Sequence, residues 1–298
     1  MPAQDQHAAN AGDLLKHSLI CEVLTKCKKE WTDAPITYAE THAGAGIYFS
    51  EGQKNQEKEK QHIEKLKQKY KNYNLNGTEC PYFKALSSFW NVCENVGRYP
   101  GSAYLAASIL NHGNLNFSLR LTEYEKPKKN DNEISTFTRL QHNLKNLLPA
   151  PWDFENESSI INKGFQEKIK WLTGNDNLVL IIDPFNLCVG KKGIADGKID
   201  LFHLIKLLEH IKPKKNAVVG FWYADNRYTS ALGLPDFFKK TIFENYGYKN
   251  VRHYYCKHYN MIWIGFGKGK NIVRELPIKD GKTKVWFGLK IKEKDASR

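Results

Sequence analysis

From Asp13 to Lys29 apolar residues recur at the three- and four-residue spacing of a helix face, as Leu14, Leu15, Leu19, Ile20, Val23 and Leu24. The spacing predicts a helix with Asp13 as N-cap and Lys26, Lys28 and Lys29 at the end where the helix dipole favours cations. After Pro35 a short extended run, Ile36–Ala39, leads into Glu40-Thr41-His42-Ala43-Gly44-Ala45-Gly46. A strand running into small residues and two glycines is the sequence form of a turn that binds a phosphate or nucleoside. From Glu51 to Asn72 the chain is dominated by Lys, Glu and Gln, with Ile63, Leu66 and Tyr70 as a sparse apolar stripe. That pattern predicts a solvated helix, then a loop through Asn76-Gly77, a second helix over Phe83–Val96, and closure at Pro100-Gly101. Residues 51–100 are thus expected to form a helical subdomain inserted into one main domain spanning 1–298.

Alternation of helix and strand then resumes. Ala103–Leu110 reads as a helix, Ser118–Thr122 as a strand ending at Glu123, and Ile134–Leu148 as a helix. Leu178–Ile182 is a continuous apolar run of the kind buried on both faces, and it ends in Asp183-Pro184-Phe185-Asn186. Asp200 would cap a helix over Leu201–Ile211, and Ala217–Tyr223 forms another buried strand. Val251–Lys257 and Met261–Phe266 lie close enough to pair as a hairpin. Repeated βα units ending in a hairpin predict an α/β fold, a mostly parallel sheet with an antiparallel edge.

Composition narrows the class. At 298 residues the chain suits one large domain or two small ones, and its 41% hydrophobic and 12% aromatic content excludes a mainly disordered basic tail. No run approaches the roughly 20 apolar residues of a membrane span, so no membrane association is expected. The first residues lack the basic and apolar regions of a signal peptide, and six cysteines without a CxxC pair suit reduced thiols, so a cytoplasmic location is expected. In His253-Tyr254-Tyr255-Cys256-Lys257-His258, strand alternation sets His253 opposite Cys256 and His258, too few ligands for a structural zinc; no metal is expected.

The formal charge of +13 makes a polyanion the leading partner class, with simple solubility as the alternative. Lysines and arginines concentrate in Lys54–Lys71, Lys126–Lys129, Lys212–Lys215 and Lys268–Lys294. The first patch also holds Glu57, Glu59 and Glu64 and reads as a solvated face; Lys212–Lys215 falls at the sheet end opposite the glycine turn.

Three strand ends carry candidate chemistry: His42–Gly46, Glu123, and Asp183-Pro184-Phe185-Asn186. Ligands of open α/β sheets bind beyond the carboxyl ends of the strands. An acidic residue at the second such end suits the two hydroxyls of a ribose. Asp-Pro-Phe-Asn resembles the (Asp/Asn)-Pro-Pro-(Tyr/Phe/Trp) signature of amino methyltransferases that use S-adenosylmethionine. An exocyclic amine conjugated to a purine is a poor nucleophile. A carboxylate and a backbone carbonyl accepting its two N–H bonds turn its lone pair out of the ring. Proline stiffens the backbone presenting that carbonyl, and an aromatic side chain stacks on the extruded base.

Over residues 6 to 225 the chain also resembles the RlmJ-type family, which methylates adenine N6 in 23S ribosomal RNA. The resemblance rests on Gln6-His7-Ala8-Ala9-Asn10-Ala11-Gly12-Asp13-Leu14-Leu15-Lys16-His17, on Thr41–Gly46, on Tyr99-Pro100-Gly101-Ser102 and on Leu121-Thr122-Glu123. Lys163-Gly164-Phe165 and Trp222-Tyr223 continue it in the same order, and the insertion falls where the family has one. It implies a Rossmann-like methyltransferase fold, S-adenosylmethionine as cofactor, and a monomer acting on protein-free ribosomal RNA. Lys16, His17, His42, Gly44, Ser102, Glu123, Gly164 and Asp183 would hold the cofactor, with Glu123 on its ribose. Asp183 and Pro184 would be the catalytic pair.

The chain departs from the family at four points. Its first residues lack the family's Tyr and His, Asn186 replaces the aromatic fourth residue, Phe185 replaces the second proline, and Lys163 replaces an Asp beside the cofactor adenine. These departures keep two rivals in view. One is an adenine methyltransferase of DNA or another nucleic acid; the other is a non-catalytic nucleic-acid-binding protein that retains the fold.

Overall fold

The computed structural model describes residues 11–49, 80–92, 98–111, 116–123, 134–147, 150–156, 165–174, 177–184, 186–188, 198–225, 233–256, 259–276, 284–286 and 289–293, with helical positions 61, 64, 65 and 68. Helix α1 spans Ala11–Glu30 and is followed by strands β1 (Ile36–Glu40) and β2 (Ile47–Phe49). Helix α2 (Pro81–Val92), strand β3 (Arg98–Pro100), helix α3 (Ser102–Asn111) and strand β4 (Phe117–Glu123) come next. Then follow α4 (Thr136–Leu147), β5 (Trp152–Asn156), α5 (Phe165–Thr173), β6 (Asn177–Ile182), β7 (Asn186–Cys188) and β8 (Lys198–Asp200). The last part holds α6 (Leu201–Ile211), β9 (Asn216–Ala224), α7 (Leu234–Tyr246), β10 (Val251–Cys256), β11 (Tyr259–Gly267), α8 (Gly269–Arg274), β12 (Lys284–Trp286) and β13 (Leu289–Glu293).

Among the described residues the main sheet runs β12-β13-β10-β11-β9-β6-β1-β4-β5. Neighbours from β5 to β9 are parallel, and β11, β10, β13 and β12 follow antiparallel. The fold is α/β, as the strand pattern predicts. The antiparallel part reaches past the expected hairpin, because residues 284–293 form a second hairpin in the segment that the sequence marks only as a basic patch. From β1 the chain proceeds outward to β4 and β5, then returns to β6 on the other side of β1 and continues to β9. The order reverses between β1 and β6, where open sheets of this kind form a crevice at their carboxyl ends.

Burial on both faces explains why β6 is apolar from Leu178 to Ile182. Val179 and Ile181 of β6 enter one core with α1, α2 and α3, while Leu178, Leu180 and Ile182 enter the other with α5, α6 and α7. Helix α1 is covered on most of its circumference, so Lys16, His17 and Ser18 are buried along with its leucines. The Ser18 hydroxyl meets this by donating to the Leu14 carbonyl at 2.6 Å. Helix α4 starts two residues later than the apolar pattern suggests, because Ser135 caps it, its Oγ accepting the Thr138 N–H at 3.1 Å.

Most of the polar helix expected over Glu51–Asn72 lies outside the described residues. The second helix of the insertion begins at Pro81, a residue suited to a first helical turn. Its Tyr82, Phe83, Leu86 and Phe89 share one core with α1 and α3. Lys212–Lys215 links α6 to β9 and so lies at the amino ends of the strands, as expected. No helix among the described residues is long and apolar enough to cross a membrane.

Leu180, fully buried at the middle of β6, tests the double-sided core. Leu180→Ala is expected to lower unfolding stability by about 3 kcal/mol, read from urea unfolding. A loss under about 1 kcal/mol would be inconsistent with close packing on that face.

Candidate functional site

The carboxyl end of β1 is held between its neighbours beyond the last ladder residue. Thr41 N–H donates to the Ile181 carbonyl at 3.0 Å and Ala43 N–H to the Thr122 carbonyl at 2.9 Å. The Thr122 hydroxyl lies within hydrogen-bond distance of the carbonyls of Glu40 (3.0 Å) and Thr41 (2.7 Å). The turn Thr41–Gly46 is therefore carried over the ends of β4 and β6. At Gly44 the backbone has φ +64° and a side chain would strike the Tyr48 hydroxyl, so the glycine is required there. Its N–H donates to Glu123 Oε2 at 2.6 Å. The turn is fixed on its outer side by Gly101 N–H on the Gly46 carbonyl (2.8 Å) and by Asn143 Nδ2 on the Ala45 carbonyl (3.0 Å). The Thr41 hydroxyl meets His42 Nδ1 at 2.7 Å.

Three carboxylates end three adjacent parallel strands: Glu40 on β1, Glu123 on β4 and Asp183 after β6. Each is met differently. Asp183 Oδ2 accepts from Lys16 Nζ at 2.6 Å, and Asp13 lies 3.7 Å from the same ammonium. Burial works against the Lys16 charge, but the carboxylates of Asp183 and Asp13 outweigh it and push its pKa up. Lys16 also sits over the Trp222 ring, 5.7 Å from its centroid, and Trp222 stacks on Tyr259 at 5.5 Å. Glu123 is engaged by Gly44 N–H. Glu40 is fully buried and accepts from two hydroxyls, Tyr38 at Oε1 and Ser102 at Oε2, the latter at 3.0 Å. Burial pushes the Glu40 carboxyl up to about 7, against the opposing pull of the Tyr38 hydrogen bond, the Lys16 charge and the Ser102 hydrogen bond.

Tyr48, next to Gly44, stands among these charges. Burial pushes its phenol up, the Lys16 cation opposes, and the carboxylates of Asp13, Asp183 and Glu123 add to the rise. On the neighbouring turn of α1, His17 Nδ1 meets the Tyr99 hydroxyl at 2.8 Å, and that hydroxyl meets Tyr82 at 2.9 Å. Burial, then the Lys16 charge, pushes the His17 imidazole well below its ordinary range.

The fold thus brings the hydrogen-bonded pairs Lys16–Asp183, Gly44–Glu123 and Ser102–Glu40 to neighbouring strand ends, where the charges of Lys16, Asp183 and Glu123 all act on Tyr48 and His42 is carried by the same turn as Gly44. His17 follows Lys16 on α1, and Pro184 follows Asp183, buried. Gly164, Lys163, Phe185 and Gln6–Asn10 lie outside the described residues, as does the side chain of Asn186. Glu40, Tyr38 and Tyr48 are additions from the structure. Glu40 had a signal, since it ends a buried strand as Glu123 does; the two tyrosines were indistinguishable from core residues. Among the described residues no three His, Cys, Asp or Glu side chains lie together as a metal site, and His253 Nε2 instead meets Asn260 Oδ1 at 2.9 Å.

No protein-family model matches the chain. Over 117 residues it is 31% identical to the ribosomal RNA large subunit methyltransferase J of Escherichia coli (strain K12). That match covers 39% of this chain and 39% of the relative. Protein LPL1258 from Legionella pneumophila str. Philadelphia 1, a crystal structure, superposes with a TM-score of 0.62 at 18% identity. The superposition covers 98% of this chain and 99% of that one. The two share a fold along their length, and the α/β architecture is Rossmann-like, a mostly parallel sheet with an antiparallel edge.

A carboxyl whose pKa is higher folded than unfolded costs stability as pH rises between the two values. For Glu40 that window runs from its ordinary 4.5 to about 7. Glu40→Gln is therefore expected to gain stability relative to the native protein by about 2 kcal/mol between pH 5 and pH 8, in paired urea titrations. A difference that does not change with pH would mean that Glu40 does not titrate in this window.

Proposed function

We propose that this chain is an S-adenosylmethionine-dependent methyltransferase acting on the N6 amine of an adenine in RNA, with 23S ribosomal RNA as the substrate. The observation that carries this reading is the convergence of Lys16, Gly44, Glu123 and Asp183, drawn from four separate segments, at the crevice where the strand order reverses. The partial similarity to an Escherichia coli ribosomal RNA methyltransferase supports the same class. We read residues 1–298 as one methyltransferase domain with 51–100 as its insertion, working as a cytoplasmic monomer.

The donor set fits the cofactor. Glu123 is a carboxylate at the end of the second strand, suited to ribose hydroxyls, and a turn that admits only glycine beside it lets the ligand approach backbone. Lys16, His17, His42, Ser102 and Gly164 would complete the holding set. S-adenosylmethionine, when bound, supplies an electrophilic methyl group on a sulfonium.

The chain's own part is orientation. Lys16 holds Oδ2 of Asp183, so Oδ1 is the oxygen that meets one N–H of the target amine, and the Pro184 carbonyl takes the other. The two acceptors draw the nitrogen toward tetrahedral geometry and aim its lone pair away from the ring. Asp183 need not be a strong base, because the proton can leave after the nitrogen has become cationic. The basic surface supplies phosphate contacts whose strength falls with salt.

Asn186, at the position that is aromatic in the resembled family, favours the rival reading of a nucleic-acid-binding protein without transfer activity. Calorimetry with S-adenosylmethionine comes first; no binding would remove the enzyme reading. With labelled cofactor and protein-free RNA or DNA, nucleoside mass spectrometry should find N6-methyladenosine in RNA. Asp183→Ala should reduce the transfer rate by at least about a hundredfold. Label in DNA alone would move the substrate, and binding without transfer to either would favour the non-catalytic rival.

A further inference from the structure

His17, Tyr99 and Tyr82 form a buried chain beside the site. The relative exposures are 1% for His17 and 0% for both tyrosines. His17 Nδ1 and the Tyr99 hydroxyl are 2.8 Å apart, the Tyr99 and Tyr82 hydroxyls 2.9 Å. The His17 and Tyr99 rings are also stacked, with centroids 5.6 Å apart and planes at 22°. Tyr99 belongs to β3 and Tyr82 to α2, so both come from the segment between β2 and α3.

Proton counting leaves two arrangements of these hydrogen bonds. A neutral imidazole carries one N–H and one bare nitrogen, and each phenol carries one O–H. Tyr99 takes part in both bonds but can donate only once. If it donates to His17, Tyr82 must donate to it; if it donates to Tyr82, His17 Nδ1–H must donate to it. The chain therefore runs wholly toward the histidine or wholly away. Phenol is a stronger acid than the N–H of neutral imidazole, and the bare imidazole nitrogen is a stronger base than a phenol oxygen. The inward chain pairs the better donor with the better acceptor at both ends of the O–H···N bond. The stacked rings hold that bond in place, and burial beside Lys16 keeps the imidazole neutral, so the choice of nitrogen is a real one.

We propose that Tyr99 and Tyr82 are positioning residues that fix the proton of His17 on Nε2, so that Nε2 serves the ligand as a donor rather than an acceptor. The proposal rests on reading His17 as a ligand-binding residue. It also gives the inserted segment a part in the site: two of its hydroxyls set the polarity of a side chain on α1 without touching the ligand themselves.

Isotope-labelled histidine nitrogens report the tautomer without any ligand, with His17→Gln used to assign the signal. The native protein should give a single neutral His17 with its proton on Nε2 between about pH 5 and 8. Tyr99→Phe keeps the stacked ring but removes the hydroxyl. It should mix the two tautomers and weaken S-adenosylmethionine binding about fivefold, with circular dichroism unchanged. Tyr82→Phe should do the same to a smaller degree, since Tyr99 retains its own donor. A proton found on Nδ1 in the native protein overturns the proposal, as does a Tyr99→Phe variant with native spectrum and native affinity. A native protein that binds no S-adenosylmethionine sinks the enzyme reading, whereas the tautomer spectrum still decides for or against the chain.

Discussion

The ion pair between Lys16 and Asp183 is the contact on which the arrangement at the strand ends depends. Both groups are largely out of water, and a buried charge left without its partner costs several kcal/mol. Neither side chain can be relocated alone. Lys16 stands on a helix that is packed on most sides, and Asp183 stands where β6 leaves the sheet. The pair at 2.6 Å therefore sets how far α1 projects over the crevice. His17 follows one residue later on the helix, and Trp222 closes over the lysine from the next strand. The same pair engages one of the two oxygens of Asp183, Oδ2.

Around that pair the three strand-end carboxylates are held by three kinds of donor: an ammonium, a backbone N–H and two hydroxyls. The differences matter electrostatically. A cation beside Asp183 offsets its charge directly. At Glu123 the donor is a backbone amide of the glycine turn. Glu40, with neutral donors only and no exposure, is the one whose carboxyl rises toward neutrality. One acidic notch within a basic chain thus contains groups suited to different partners, and the overall charge of +13 says little about any of them.

Much of this was legible in the sequence because burial on both faces keeps Leu178–Ile182 of β6 and Ala217–Tyr223 of β9 free of charged residues. The strand limits and the polar residues that end them could be read directly, and with them Glu123, Asp183 and the glycine turn. Glu40 carries the same mark but was hidden by its place inside a recognisable turn motif. Tyr38 and Tyr82 were illegible for a physical reason: a tyrosine among apolar residues reads as core, and its hydroxyl, like that of the motif residue Tyr99, matters only once a partner is placed against it. Strand β5 was missed because it is an edge strand whose Trp152, Asp153 and Phe154 are partly or fully exposed, so no continuous apolar run announces it. The second hairpin was hidden by its lysines.

The partners in the Lys16–Asp183 pair are 167 positions apart in the chain. Helix α1 is made before β6, and Lys16 then has Asp13 of its own helix, 3.7 Å away, as a counter-charge but lacks Asp183 until β6 has been synthesised and inserted beside β1. Long-range pairing of this sort is slow, since the closure entropy of the intervening chain must be overcome before any contact rewards it. Before β6 is in place both cores are incomplete, since it contributes side chains to each. The crevice is completed only when β6 joins, so chains ending before β6 hold the residues of the Gly44–Glu123 contact but lack the Lys16–Asp183 one.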